Sequence, residues 1–428
     1  MINKVKKILT SDLIKVFSFT GISTIVKLIS SYITVKVVAS IIGPSGIALI
    51  GQLQNFAAIL TTLGAGGINN GVVKFVSEYK DEETHLQNYL RNGLKITVYL
   101  SLFFGFLLIV LSKYLAKWIL LDNQFYYVFI FFGVSLFFLS INNYLLSILN
   151  GFKEFKKFVA INIATSLFGL IFTVSLVFLF HLRGALIASV SYQSIVLFVT
   201  MIYLRKSPWF TRYYLWGKTN KKVIKKYLSF SLMAFISAAT VPVSQMIVRG
   251  YLIKNFSIDS AGYWEGMNRI SGLYLMFITT SFSVYYLPRL SEIKDNPTLK
   301  SEIFKVYKII TPIIAGSLLL IFIMKDFLIN ILFTKEFYPM KDLFFWQLIG
   351  DFFKIMSWIL AFVMVAKSMS KIYIITEVIF SSFFVGLAIL FIDYFGLIGA
   401  TQSYCLNYFL YFMVMIFIFK KLLFSKAL

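Results

Sequence analysis

An all-α membrane protein, with twelve transmembrane helices in two six-helix lobes, is the fold this sequence predicts. Three observations carry that expectation. Of 428 residues, 59% are hydrophobic and 14% charged, where an ordinary soluble domain has about 45–50% and about 25%. The mean hydropathy is +0.82. Lysine and arginine are also distributed unevenly between the apolar runs. Together these exclude a soluble enzyme, a secreted disulfide scaffold and a disordered chain; the solvent for most of this surface is lipid.

A helix crosses the hydrocarbon core with about 20 mostly apolar residues. Charge clusters and Gly/Pro turns divide the chain into twelve such runs, near 14–42, 46–73, 93–112, 125–149, 158–180, 184–204, 227–252, 260–288, 306–324, 343–366, 372–392 and 396–419. The basic residues 1–12 precede an apolar stretch far longer than a signal-peptide core, so the first span is expected to be uncleaved. Short turns are expected at Gly43-Pro44-Ser45, His181-Leu182-Arg183 and Asp393-Tyr394-Phe395.

Orientation follows from the basic residues, which collect on the cytoplasmic side. With a cytoplasmic N-terminus, 29 Lys and Arg fall in the inner segments and 7 in the outer ones (Lys113, Lys117, Arg183, Lys254, Lys325, Lys335 and Lys341). Both termini are then cytoplasmic. The net charge of +23 is largely this topological bias, and no nucleic-acid partner is needed to explain it.

The most basic segment, residues 205–226, separates an N-terminal lobe, 1–204, from a C-terminal lobe, 227–428. The sequence repeats across it. Lys15-Val-Phe-Ser18-Phe19 opens the first span and Lys226-Tyr-Leu-Ser229-Phe230 the seventh; Pro44-Ser45-Gly46-Ile47-Ala48 resembles Ser260-Ala261-Gly262-Tyr263-Trp264. Six spans per half is an even number, so the halves enter from the same side and are related by a pseudo-two-fold along the membrane normal. Such repeats predict a transporter with its substrate site near mid-bilayer between the halves.

With Lys15, Lys95 and Lys308 at the very span ends counted among the inner segments, five cations remain inside the spans: Lys27, Lys36, Arg249, Arg269 and Lys354. A charge at the bilayer centre costs about 2.5–3.5 kcal/mol on insertion scales, so each needs a partner, a wet cavity or a route to the interface. Arg249 is close to its helix end and Lys36 to the Gly43 turn, so both are within snorkelling reach of the interface. Lys27 lies near the middle of the first span. At about 100° per residue it faces away from Lys36 and is the expected cavity residue. Glu265 and Arg269 stand at i,i+4, and Asp351 and Lys354 at i,i+3. Two readings stay open for them: self-neutralised pairs, or pairs facing a water-filled cleft.

Other signals carry less. The lone Cys405 allows no intrachain disulfide or cysteine metal site, and the histidines His85 and His181 lie at the ends of apolar runs. Gly67-x-x-x-Gly71 follows a membrane helix rather than a strand, so it predicts close helix packing or a hinge, not a phosphate loop. Gly217-Lys218-Thr219 fails as a Walker ending because Arg212 stands where glycine is required. Pro242 and Pro312 predict kinks.

Four stretches carry a family resemblance: Gly43-Pro-Ser-Gly46, Gly64-Ala-Gly-Gly-Ile-Asn-Asn-Gly71 with Lys74, Ser281-Phe-Ser-Val-Tyr-Tyr-Leu-Pro288, and Met340-Lys-Asp-Leu-Phe-Phe-Trp-Gln-Leu-Ile-Gly-Asp351. On these, spread over both halves, the chain resembles the Wzx flippases of the multidrug/oligosaccharidyl-lipid/polysaccharide superfamily. The resemblance implies a non-enzymatic flippase of the inner membrane. Its cargo would be an undecaprenyl-pyrophosphate-linked oligosaccharide, either an O-antigen repeat unit or the lipid III of enterobacterial common antigen. It also implies a glycan polymerase and a chain-length regulator as partners.

A pyrophosphate head needs charge-assisted hydrogen bonds to cross hydrocarbon. Lys27, Arg269 and Lys354 are the first candidates for that contact, and Lys36 and Arg249 the second. Glu265 and Asp351 would tune these cations or couple transport to a proton or sodium gradient; no cofactor is expected. Asn69, Asn70, Asn142, Asn143, Gln245 and Asn268 can bond sugar hydroxyls or join helices. Two rivals are a drug/cation antiporter of the same superfamily, which needs unpaired membrane carboxylates, and a polytopic glycan polymerase, which needs a sizeable outer loop with catalytic acids.

Overall fold

The computed structural model describes residues 12–215 and 217–424, and these are almost entirely helical, with no strand among them. In chain order the helices are α1 (Asp12–Gly64), α2 (Asn69–Tyr79), α3 (Glu83–Val110), α4 (Ser112–Ile119), α5 (Tyr126–Gly151), α6 (Phe155–Leu204), α7 (Arg212–Leu215), α8 (Lys221–Asn255) and α9 (Ile258–Ser281). They continue with α10 (Leu287–Glu292), α11 (Asn296–Ile323), α12 (Lys325–Leu332), α13 (Phe344–Ala366), α14 (Ser370–Phe395), α15 (Leu397–Ile418) and α16 (Lys420–Phe424).

Nine helical stretches among the described residues are long and apolar enough to cross a membrane. Tyr99, Phe103 and Phe106 on α3, and Ile171 and Phe178 on α6, are exposed, a surface that water would not tolerate as a contiguous apolar band. This is a multi-pass membrane protein.

Two of the nine stretches contain an expected turn. α1 leaves helical geometry at Gly43 (φ 65°, ψ −170°) and α6 at His181 (φ 49°, ψ −128°). The third expected turn lies between α14 and α15, at Gly396 (φ 65°, ψ −146°). In all three a left-handed residue is followed three positions later by glycine: Gly46, Gly184 and Gly399. The reason is close approach. A Cβ at Gly184 would lie 1.9 Å from the Leu176 carbonyl oxygen, and one at Gly399 would lie 2.1 Å from that of Phe391. The helix re-entering after each of these two reversals runs backbone against backbone.

Two expected spans are interrupted. The run 46–73 breaks after Gly64, where Gly66 and Gly67 take φ 72° and 63°, and α2 begins at Asn69. This places the glycine stretch at a helix break, consistent with its packing-or-hinge reading. The run 260–288 is regular only to Ser281; a π-helical turn, Phe282–Tyr286, then precedes Pro288 in the first turn of α10.

By packing, the chain forms two compact units: residues 12–41 with 49–242, and 42–48 with 243–424. In the first, α5 packs against α3 and α6 around buried Phe75, Tyr144, Ile148 and Tyr227. The Tyr144 hydroxyl donates to the Leu90 carbonyl at 2.6 Å. The basic segment 205–226 is fastened to this unit: Trp209 stacks on Phe152 and donates to Glu154, and the Asn220 N–H donates to Asn92 at 2.9 Å. The division between units falls at Pro242, inside α8, where the ring removes one rung of the helix ladder.

In the second unit α13 packs most extensively on α15. The repeated motifs meet here: a Cβ at Gly262 would lie 2.1 Å from the Pro44 carbonyl oxygen. Asp295 caps α11, accepting the Thr298 N–H at 2.8 Å. Hydrogen bonds from the Thr298 side chain and backbone hold its carboxyl below the ordinary aspartate range. The capping contribution is complete above that range and is lost as the pH falls through the lowered value.

His181 is exposed and occupies a backbone region that costs a residue with a Cβ about 1–3 kcal/mol. His181→Gly is therefore expected to raise the melting temperature of the purified protein, whereas Gly399→Ala lowers it by forcing a methyl group onto backbone. Thermal unfolding in detergent reads both signs.

Candidate functional site

The second unit buries a charge cluster. Glu265, on α9, accepts from Arg249 Nη2 of α8 at 2.5 Å through Oε2 and from Arg269 Nε at 3.1 Å through Oε1. The i,i+4 spacing foresaw the second bond. It did not foresee the first, and Arg249 does not snorkel: its side chain is 1% exposed. Its guanidinium also lies 5.5 Å from the Trp264 ring, a cation–π contact. Two guanidiniums share one carboxylate, so the three side chains together carry one positive charge.

One helix turn further along α9 lies a second centre. Asp351, on α13, is fully buried and accepts from three hydroxyls. Ser271 donates to Oδ2 at 2.7 Å and Tyr404 to Oδ1 at 2.6 Å, and Tyr274 also donates to Oδ2. These donors come from α9 and α15, so the carboxylate ties three helices. The expected direct Asp351–Lys354 pair is not formed. Tyr404 stands between them, donating to Asp351 while accepting from Lys354 Nζ at 3.1 Å. Lys354 is otherwise surrounded by aromatic faces, 4.8 Å from the Tyr408 ring, 5.3 Å from Tyr404 and 5.4 Å from Trp358.

Sequence reasoning missed Ser271, Tyr274, Tyr404 and Tyr408 because uncharged residues in an apolar helix give no insertion-cost signal. The spacing of Tyr404, Tyr408 and Tyr411 on one helical face was the available clue.

In the first unit, Lys27 and Lys36 both lie on α1; Lys27 is exposed and Lys36 half-buried. Neither lines either of two cavities formed by described residues of this unit. One, of about 500 Å³, is lined by Thr61, Thr62, Asn69, Asn70, Asn143 and Ser237, with Ala65, Gly67, Ala234 and Ala238. The other, of about 330 Å³, shares Thr61 and adds Gln54, Ser189, Tyr192 and Gln193. Asn69, Asn70 and Asn143 are thus brought together. Asn142 is not with them: its Oδ1 accepts from Thr200 at 2.6 Å, a helix-to-helix bond. Asn268 belongs to the second unit, where its Nδ2 is buried without a partner.

A family model for polysaccharide biosynthesis proteins matches residues 13–294. The chain is 28% identical, over 94% of its own length and 96% of theirs, to proteins named lipid III flippase in Escherichia coli K12 and in Shigella flexneri. Its fold is similar to an inward-facing MATE family multidrug transporter of the MOP superfamily, with TM-score 0.73 and 13% identity over 94% of this chain and 100% of that one. It is also similar to the lipid II flippase MurJ in an inward closed conformation, with TM-score 0.70 and 14% identity over 95% of this chain and 87% of that one.

Removing Glu265 leaves buried Arg249 without its carboxylate, a type of loss that costs about 3–5 kcal/mol. Glu265→Gln is expected to lower the melting temperature well below that of Arg269→Ala, whose side chain is 18% exposed. Equal melting temperatures would show that Glu265 does not hold the cluster.

Proposed function

Because the chain belongs to the polysaccharide biosynthesis protein family, we propose that it is a flippase, not an enzyme. In this reading it moves a polyprenyl-pyrophosphate-linked oligosaccharide from the cytoplasmic to the outer leaflet of the inner membrane. The observation that carries the reading is end-to-end similarity to two proteins named lipid III flippase. An O-antigen repeat unit or lipid III itself is the proposed cargo.

The mechanism is alternating access by twelve spans in two lobes, N- and C-termini inside. The pyrophosphate head is too strongly hydrated to enter hydrocarbon alone. Lys27, Arg269 and Lys354 are proposed to replace its water with charge-assisted hydrogen bonds, and Lys36 and Arg249 to act as secondary contacts. Arg249 would act through Glu265, since it is buried behind that carboxylate. Glu265 fixes the cluster's net charge. Asp351, linked to Lys354 through Tyr404, is proposed to tune that lysine or to couple transport to a proton or sodium gradient. A glycan polymerase and a chain-length regulator are the proposed partners.

The rivals have less support. The likeness to a multidrug transporter, at 13% identity, concerns the fold alone. The longest segment expected on the outer side, about residues 325–342, is short for the loop of catalytic acids that a polymerase needs, and it folds into α12 and a short 3₁₀ stretch, Lys335–Leu343.

Deleting the gene in its own host is expected to accumulate a lipid-linked oligosaccharide in the inner leaflet, with loss of the surface glycan. Complementation by Lys27→Ala should restore less than a tenth of that glycan while the protein still reaches the membrane. Full complementation would remove Lys27 from the contact set. A deletion strain with normal glycan and no accumulated intermediate would overturn the flippase reading.

A further inference from the structure

We infer that the two cavities of the first unit form a glycan-reading subsite, which takes uncharged hydroxyl and acetamido groups and leaves the phosphates to the cations elsewhere. The inference rests on the flippase reading and adds which part of the cargo this site binds. Its first support is the chemistry of the walls. None of the residues lining either cavity is charged, yet four of them are amides (Gln54, Asn69, Asn70 and Asn143) and a fifth, Gln193, adjoins Tyr192. An amide offers donors and an acceptor together, the complement of a sugar hydroxyl, which also does both.

The wrong ligands are excluded by the same walls. A phosphate entering here would lose its hydration with no cation in return. A wholly apolar ligand would leave the buried Asn69 Oδ1 without a hydrogen bond.

The second support is an acceptor without a donor: Asn69 Oδ1 is buried and has no hydrogen-bond partner. It sits at the start of α2, immediately after the helix break. Asn69 and Asn70, directly after the break, line the larger cavity. The geometry of the break depends on Gly67, where a Cβ would lie 2.9 Å from the Ser231 carbonyl oxygen. Small residues from the facing helix, Ala234 and Ala238, keep the space open. Volumes of about 500 and 330 Å³ fall in the range of small-ligand clefts, and Thr61 lines both, so adjoining sugar rings can occupy them in sequence.

The test compares two probes on the purified full-length protein: a bare polyprenyl pyrophosphate, and the same lipid carrying one N-acetylated hexosamine. The wild type is expected to bind the glycosylated probe more tightly. Asn69→Ala and Asn143→Ala should each weaken that probe about tenfold, the equivalent of about 1.4 kcal/mol, and leave the bare lipid unchanged. Unchanged binding of the bare lipid also certifies the fold of each variant. Thr61→Val, which removes a hydroxyl at nearly constant shape, provides the same reading if an asparagine variant fails to fold. Equal loss for both probes, no loss for either, or a wild type indifferent to the sugar would overturn the subsite while leaving the flippase reading intact. A wild type that binds neither lipid would overturn both.

Discussion

The interior of the second unit depends on one carboxylate. Glu265 bonds to Arg249 from α8 and to Arg269 from its own helix, and without it two guanidiniums would stand together in a membrane-embedded body. Neither a surface ion pair nor a lone buried charge offers a useful comparison. In water such a pair is worth little; here the alternative is an uncompensated cation, which is why the side chain most deeply buried, Arg249, is also the one with a second stabilising contact from Trp264. The cluster remains one positive charge in excess, the imbalance on which the proposed contact with an anionic head group rests.

Asp351 solves the same problem differently. It is satisfied by hydroxyls rather than by a cation, and its three donors make it a junction of α9, α13 and α15. Lys354 consequently keeps its charge directed at aromatic rings and the Tyr404 hydroxyl. The two cavities described in the first unit have no charged residue in their lining. Their polar groups are amides and hydroxyls, placed by a helix break that glycines permit. Charge and neutral polarity are thus sorted onto different structural devices within one chain.

The all-helical membrane class was legible because hydrocarbon imposes a single demand on the sequence, long apolar runs. Turns at Gly43, His181 and Asp393-Tyr394-Phe395 were found within a few residues because charge or glycine marks them. The glycines after Gly64 marked a packing or hinge site but not the end of a span, and the π-helical turn after Ser281 lies in an apolar run that gives no mark of it. At the site, the charged residues announced themselves by insertion cost, so Glu265, Arg269, Asp351 and Lys354 were identified. Their partners were not fully legible. Helical spacing reports neighbours on one helix, and it found Glu265–Arg269. It cannot report Arg249 arriving from α8, or Tyr404 from α15 inserting between Asp351 and Lys354. Long-range pairing of this kind is a property of packing, and a periodic pattern does not contain it.

The central claim is that excess positive charge in an oily body exists to compensate an anionic lipid head. It is tested most directly by reconstituting the purified protein in sealed vesicles and following the transbilayer movement of two lipids that share the same sugar and polyprenyl tail. One carries the sugar through pyrophosphate, the other through an uncharged glycosidic link. The account predicts protein-dependent movement of the pyrophosphate lipid and none of the neutral one. Equal rates for the two lipids would contradict it.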